Sequence, residues 1–479
     1  MLEPESAPVD SSARHAAAPV SPATAIASSP AQASLTLPMM LAYALPMTPV
    51  HFSFVLFVSY YSKYAVDVLL IAPAAVGLIF GASRLWDAVT DPLVGLWSDR
   101  TTHAWGRRRP WIAAAAIPMA VSGWMVWSPP DSLAGASLIA WATVSVFAFT
   151  LAVTLFYTPH QALGAELTSD THAVSRIFAW RQAAIYVGMF GCLVLGIKAL
   201  MTAPDRKGLA TIFAIVCGAA IILANALAVA LLREPLGNRR RGDASNFAVM
   251  RGVWRNRYSR SLMTMIFIEH TGTGASMVVA PFLVTYVIGL PGRIGDVFLF
   301  YVGSSLLSLP LWVILARRLG KKPTWMIGLL MGITGYACLF FVGEGELRWM
   351  QMVVTLTGTS SACGNVLAQS ILADVIDSDE LETGQRKEGA YYAVYTFLMK
   401  TSSGVMAMVT GFTLTAVSFV PNAPEQTELV RTAIRSLNSL PPLVSLMIGA
   451  VLLIGFGLTS EKQAEIRRAL DARRAGSRA

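Results

Sequence analysis

Twelve apolar segments recur along this chain, near 40–62, 71–97, 110–128, 135–160, 177–202, 209–232, 261–290, 294–316, 324–343, 349–374, 388–419 and 437–459. A hydrocarbon layer about 30 Å thick takes roughly 20 helical residues to cross, and each segment is about that long. Lipid offers backbone N–H and C=O groups no partner, so every segment is expected to be an α-helix. Composition agrees: 54% of the 479 residues are apolar and 14% are charged, where a soluble domain has about 25% charged. The fold class that follows is all-α integral membrane, with twelve transmembrane helices.

The net charge of +9 raises nucleic acid as a partner, and its distribution removes it. With both termini cytoplasmic, the inner loops and the C-terminal tail hold 25 of the 37 basic residues. The outer loops hold eight: Lys63, Lys198, Arg206, Lys207, Arg293, Arg348, Arg431 and Arg435. That bias sets orientation in a plasma (inner) membrane. It also gives the inner face some attraction for anionic lipid. Cys192, Cys217, Cys338 and Cys363 all fall inside predicted helices, as small packing residues rather than a disulfide framework or a metal site. No catalytic triad, phosphate loop or metal-ligand cluster is visible, so neither an enzyme nor a cofactor is expected.

Five regions are predicted. Residues 1–36, rich in Ala, Ser and Pro, lack the pattern of a signal peptide and form a disordered cytoplasmic tail. A six-helix bundle covers 37–233, a basic cytoplasmic linker 234–260, a second six-helix bundle 261–460, and a basic cytoplasmic tail 461–479. The two bundles carry similar turns after their second helices: Gly106-Arg107-Arg108-Arg109-Pro110 and Gly320-Lys321-Lys322-Pro323. Weak symmetry between two six-helix halves, with a site between them, is the mark of the major facilitator fold. Gly95-x-x-x-Asp99-Arg100 ahead of the first turn looks like the loop signature of that fold, where Asp99 and Arg100 can pair and latch the cytoplasmic ends of the halves.

Within the second segment, Arg84, Asp87 and Asp91 follow one another at spacings of three and four, which puts them in one narrow stripe on a helix. Charges at membrane depth are costly and normally face a cavity or a partner. Two carboxylates one turn apart can share one Na⁺ or one proton, and repel each other when both are ionised and empty. Arg84 neutralises the pair when no cation is bound. The alternative is a static buried ion-pair cluster, which would add little stability.

Three blocks carry a resemblance. The first is Arg84-x-Trp86-Asp87-Ala88-x-x-Asp91-Pro92-x-x-Gly95 with the basic turn that follows it. The second is Ala162-Leu163-Gly164-Ala165-Glu166-Leu167-Thr168-x-Asp170, leading through Arg176 to Trp180-Arg181. The third is Ala373-Asp374-Val375-Ile376-Asp377, continuing through Gly384, Arg386 and Glu388-Gly389 to Lys400. In these the chain resembles the glycoside–pentoside–hexuronide:cation symporters, the family of the melibiose permeases. The resemblance implies a secondary active transporter working by alternating access, with Asp87 and Asp91 binding the coupling cation, Na⁺ or H⁺. It places Thr154 at a cation-site hydroxyl, and Lys400 and Arg181 at the cavity. Thr90, counted with the cation-binding residues, stands where melibiose permeases have an amide, and that departure leaves Na⁺ against H⁺ open.

The sugar-binding carboxylates of the family are missing: His51 and Tyr157 stand at those positions, with Gln161 one turn further on. His51 can serve helix packing, a substrate acid or proton coupling, and Tyr157 can stack on a ligand or fill the core. Glu269 and His270 on the seventh helix are expected to face the cavity. Thr355, Thr357, Ser360, Ser361, Asn365 and Gln369 on the tenth are either site residues or interhelical hydrogen bonders. An acidic loop, Asp374 to Glu388, is expected to form gating salt bridges through Asp377 and Arg386. The expected function is cation-coupled symport of a small molecule, a sugar, glycoside or hexuronide, by a monomer. The alternatives are a lysolipid-like amphiphile as substrate, or a non-transporting membrane sensor.

Overall fold

The computed structural model describes residues 36–168, 171–232, 234, 252–385 and 387–476. The N-terminal tail up to Leu35, Asp170, most of the linker and Arg386 lie outside the described residues.

Helix α1 (Leu37–Ala44) leads through Leu45 and Pro46 into α2 (Met47–Asp67). There follow α3 (Pro73–Arg100), α4 (Arg109–Trp127), α5 (Ala136–Glu166) and α6 (Thr171–Gly191). Helix α6 continues through a π-helical turn, Cys192–Gly196, into α7 (Ile197–Thr202), and α8 (Arg206–Leu231) comes next. Beyond the linker lie α9 (Arg257–Tyr286), α10 (Ile294–Leu319), α11 (Lys321–Leu339), α12 (Leu347–Thr383), α13 (Glu388–Ala416), α14 (Glu428–Ile454) and α15 (Ser460–Gly476). Every regular element among the described residues is helical. Seven stretches, built on α2, α4, α5, α6, α8, α10 and α14, are long and apolar enough to cross a membrane by length and composition. The other long helices, α3, α9, α11, α12 and α13, are more polar, and most of the candidate site residues sit on them.

Local chemistry sets the ends. Pro73 opens α3 at a position where the missing N–H has no partner to lose. Asp205 accepts from Gly208 N at the start of α8, and Asn256 accepts from Tyr258 N and Ser259 N at the start of α9. Gly384, at φ 72°, closes α12 in the left-handed conformation that glycine adopts without strain.

Four sequence expectations change here. The first apolar segment is split at Leu45–Pro46, because proline lacks the N–H a continuous helix needs. The acidic stretch is not a loop down to Gly384: α12 holds no proline and stays helical through Asp374, Asp377, Asp379 and Glu382. The basic C-terminal tail forms α15, which buries Ile466 and Leu470 against the bundle. Lys63, expected in an outer loop, lies inside α2 and is 2% exposed.

Helices α2 to α8 pack against one another, as do α9 to α14; the main contact between these sets runs along α3 and α13. Small residues let those two backbones approach. A Cβ on Gly77 would sit 2.7 Å from Ala407 O, one on Gly411 3.0 Å from Gly77 Cα, and one on Gly404 2.9 Å from Arg84 Cβ. Close crossings of this kind are how membrane helices gain dispersion contact without a hydrophobic drive. Gly77→Val is therefore expected to push α3 off α13 at a cost of about 1–3 kcal/mol. Melting of the detergent-purified protein should fall accordingly, and an unchanged melting profile would contradict this packing.

The loops form two layers. One holds the ends of α2, α4 and α9, and is called the Asp67 end below. The other holds the ends of α3, α5 and α10, and is called the Arg108 end.

Candidate cation and substrate site

The stripe on α3 folds as a charged knot facing α13 and α5. Arg84 Nη1 lies 3.1 Å from Asp87 Oδ2. Lys400, from α13, donates to Asp91 Oδ2 and lies 3.8 Å from Asp87 Oδ2. Thr154 of α5 donates to the other oxygen, Asp91 Oδ1, at 2.8 Å. Asp87 is buried, and its Oδ1 has no hydrogen-bond partner. Thr150 stands beside Asp87 but gives its own hydroxyl to Phe147 O at 3.2 Å. Two carboxylates and two cationic groups leave the knot electrically neutral, with the ammonium of Lys400 between the acids. Thr90 is not part of it: its hydroxyl bonds back to Trp86 O and Asp87 O of its own turn. One residue along a helix is a rotation of about 100°, which takes Thr90 off the stripe.

A second group forms on α2, α5 and α6. Tyr157 Oη and His51 Nε2 share a hydrogen bond of 2.9 Å. The Arg181 guanidinium lies 5.3 Å from the centre of the Tyr157 ring. Arg181 is 8% exposed, its Nε has no hydrogen-bond partner, and no carboxylate pairs with it among the described residues. Gln161, one turn beyond Tyr157, is exposed and separate from this group. Below it, Tyr43 of α1 donates to His160 O at 3.0 Å and the two rings stack at 4.3 Å, which fixes α1 on α5.

Glu269 and His270 open onto a cavity of about 450 Å³ lined by residues of α9 to α14. Thr273, Tyr301, Ser361, Asn365 and Asn438 give it polar groups, and Asn438 Oδ1 is buried without a partner. Val297, Phe298, Leu339 and Met350 make the wall nearest the Asp67 end apolar. Gly364 makes room for the acid, since a Cβ there would lie 2.7 Å from Glu269 Oε1.

The gating residues fall differently from expectation. Asp99 pairs with Arg108, not Arg100, which is exposed. Neighbouring helical residues point about 100° apart and cannot meet, while the basic turn folds Arg108 back over Asp99. Glu166 of α5 completes that cluster through Arg107 and Arg108. All four belong to the α2–α8 set, so they do not join the halves in this conformation. Asp377 faces Arg467 of α15, and Asp374 takes Lys321 and Arg467. Sequence reading does not supply Arg108, Glu166 and Asp374 as partners. Their pairings cross between helices, and no spacing along one helix could show them.

A family model described as MFS/sugar transport protein matches residues 42–460. The chain belongs to this family. The sodium-dependent lysophosphatidylcholine symporter 1 of Xenopus tropicalis is 24% identical, over 87% of this chain and 86% of that one. The glucuronide carrier protein homolog of Escherichia coli is 23% identical, over 90% and 95%. Among solved structures, a bacterial homolog of the human lysosomal transporter Spinster, inward-facing and unoccupied, superposes with a TM-score of 0.63 at 14% identity. That match covers 90% of this chain and 97% of that one. The fold is thus all-helical and of the major facilitator type, and the protein is an integral membrane symporter of that type. Nothing in the family or its relatives points to catalysis.

Proposed function

We propose that this chain couples an inward cation, Na⁺ first, to uptake of an acidic solute, a hexuronide or acidic glycoside, by alternating access. The knot of Arg84, Asp87, Asp91, Thr154 and Lys400 is the observation that carries the reading. Lys400 rests where a small cation would gain most, touching Asp91 and close to Asp87. Oxygens suited to a hard cation are at hand: Asp91 Oδ1, Thr154 Oγ1 and the unpartnered Asp87 Oδ1. An arriving cation competes with the ammonium. Once displaced, Lys400 is a free positive charge on α13, and the unpaired Arg181 on α6 is a second. An anionic solute is then held more tightly, and by linkage it tightens cation binding by the same factor. A neutral sugar would leave Arg181 uncompensated, so the acid is favoured.

The positive-inside bias makes the Arg108 end cytoplasmic and the Asp67 end external. Among the described residues, contacts between the two helix sets run along α3 and α13, from Gly77 and Gly411 in the outer half to Lys400 and Asp91 near the middle, and gather at the outer tips, while the ion pairs of Asp99, Glu166 and Asp374 stay within their own sets. This is the inward-facing arrangement of a rocker switch, with the first set against the second around a central site.

A lysophospholipid is the second reading. Its phosphate would satisfy Arg181, and the apolar outer wall of the cavity, Phe298, Leu339 and Met350, would suit an acyl chain. The sequence similarity to a lysophosphatidylcholine symporter speaks for it. Uptake by proteoliposomes, driven by imposed Na⁺ or pH gradients and competed with a glucuronide, its neutral glucoside and a lysophospholipid, tests both. Na⁺-driven uptake competed by the glucuronide and not the glucoside is the expected result. Competition by the lysophospholipid alone would transfer the assignment to the second reading, and no gradient-driven uptake of any of them would sink the proposal.

A further inference from the structure

Lys63 and Asp67 form an ion pair of 2.5 Å one turn apart at the outer end of α2, with side chains 2% exposed on both sides. A pair of this kind on an external helix end would ordinarily sit in water. Here α9 covers it: the ammonium lies 4.3 Å from the Tyr286 ring centre and 5.1 Å from that of Phe282. Asn422, in the turn after α13, ties the cover down. Its Nδ2 donates to Asp67 O at 2.6 Å, and its backbone N–H donates to Tyr286 Oη at 3.1 Å. Asn422 holds φ at 56°, a left-handed conformation that asparagine tolerates better than most side chains. Phe419 braces both rings edge-on. Three elements from the two helix sets therefore meet on one buried charge pair.

We infer that Lys63 and Asp67, capped by Tyr286, Phe282 and Asn422, form the external gate, closed here and built to release. The inference rests on the alternating-access reading above. The physical reason lies in hydration. A buried ion pair gives up water around both charges, and a well-packed apolar pair of similar volume is often the more stable filling. Asp67 Oδ1 is also buried with no hydrogen-bond partner, a further cost of closure. The aromatic cover and the Asn422 bonds favour the closed state, and rehydration of the two charges favours the open one. Opposite variants should then act in opposite directions.

Spin labels at Ser132 and Glu425, exposed at the outer loops of the two sets, would report the gate. The protein would carry serine at its four native cysteines and be reconstituted in vesicles. Two distance populations are expected, with NaCl against KCl shifting their ratio. Tyr286→Ala should raise the longer-distance population about fivefold. The double change Lys63→Met with Asp67→Leu should lower it by a similar factor. Tyr286→Phe keeps the ring, loses the hydroxyl that meets Asn422 and Asp67, and should move the ratio a smaller way toward opening; it serves if the alanine variant does not purify. Unchanged ratios in these variants, or opening by the apolar pair, would overturn the gate while leaving symport standing. A single fixed distance in the unsubstituted scaffold, whatever the salt, would overturn alternation itself and the gate with it.

Discussion

Asp91→Asn is expected to abolish concentrative uptake. Asparagine keeps the shape of the side chain and can still accept from Thr154, so the helix packing should survive. What changes is the charge. The knot passes from neutral to a net positive charge, with Lys400 left beside Asp87 and Arg84. A unit charge removed about 4 Å from a bound cation, at the effective dielectric of a partly wet site, is worth about 4 kcal/mol. Cation affinity should therefore fall roughly a thousandfold, and uptake against a gradient should drop to background. Exchange of substrate across the membrane at equal concentrations should persist at a reduced rate, because alternation does not itself require the driving ion. Radiolabelled uptake and counterflow in the same vesicles measure both. Full concentrative uptake by the variant would remove Asp91 from the cation site.

Arg181→Gln should separate acidic from neutral ligands. The guanidinium is buried against Tyr157, and no carboxylate among the described residues pairs with it. If the solute supplies that negative charge, truncating the pair costs about 2–5 kcal/mol, or roughly thirtyfold and more in affinity. A neutral analogue of the same solute should lose far less. Binding isotherms for an acid and its amide, on the unsubstituted protein and the variant, give the comparison. Equal losses for both would mean that Arg181 holds the fold or the Tyr157 ring rather than the ligand.

Much of the architecture could be read from the chain because lipid leaves few choices. A run of about 20 apolar residues must be helical there, and the spacing of Arg84, Asp87 and Asp91 must place them on one face. The seven apolar stretches, the charged stripe and the basic turns follow from such local rules. The extent of α12 was also available in principle, since nothing between Leu347 and Gly384 breaks a helix. The acidic composition after Asp374 obscured it by imitating a loop.

Partnerships between helices were not legible. The exposure of Lys63 is set by rings on α9 more than two hundred residues away, and the partner of Asp99 by a turn that folds Arg108 back. Lys400 reaches Asp91 only because Gly77, Gly404 and Gly411 let α3 and α13 approach closely. The sequence alone determined helices, their charged faces and the ionisable residues placed at membrane depth, because backbone hydrogen bonding and periodicity act within one segment. Which charges meet, which stay unpaired and which are hidden from water was decided by packing between segments, since an ion pair depends on a few ångströms that no single helix controls.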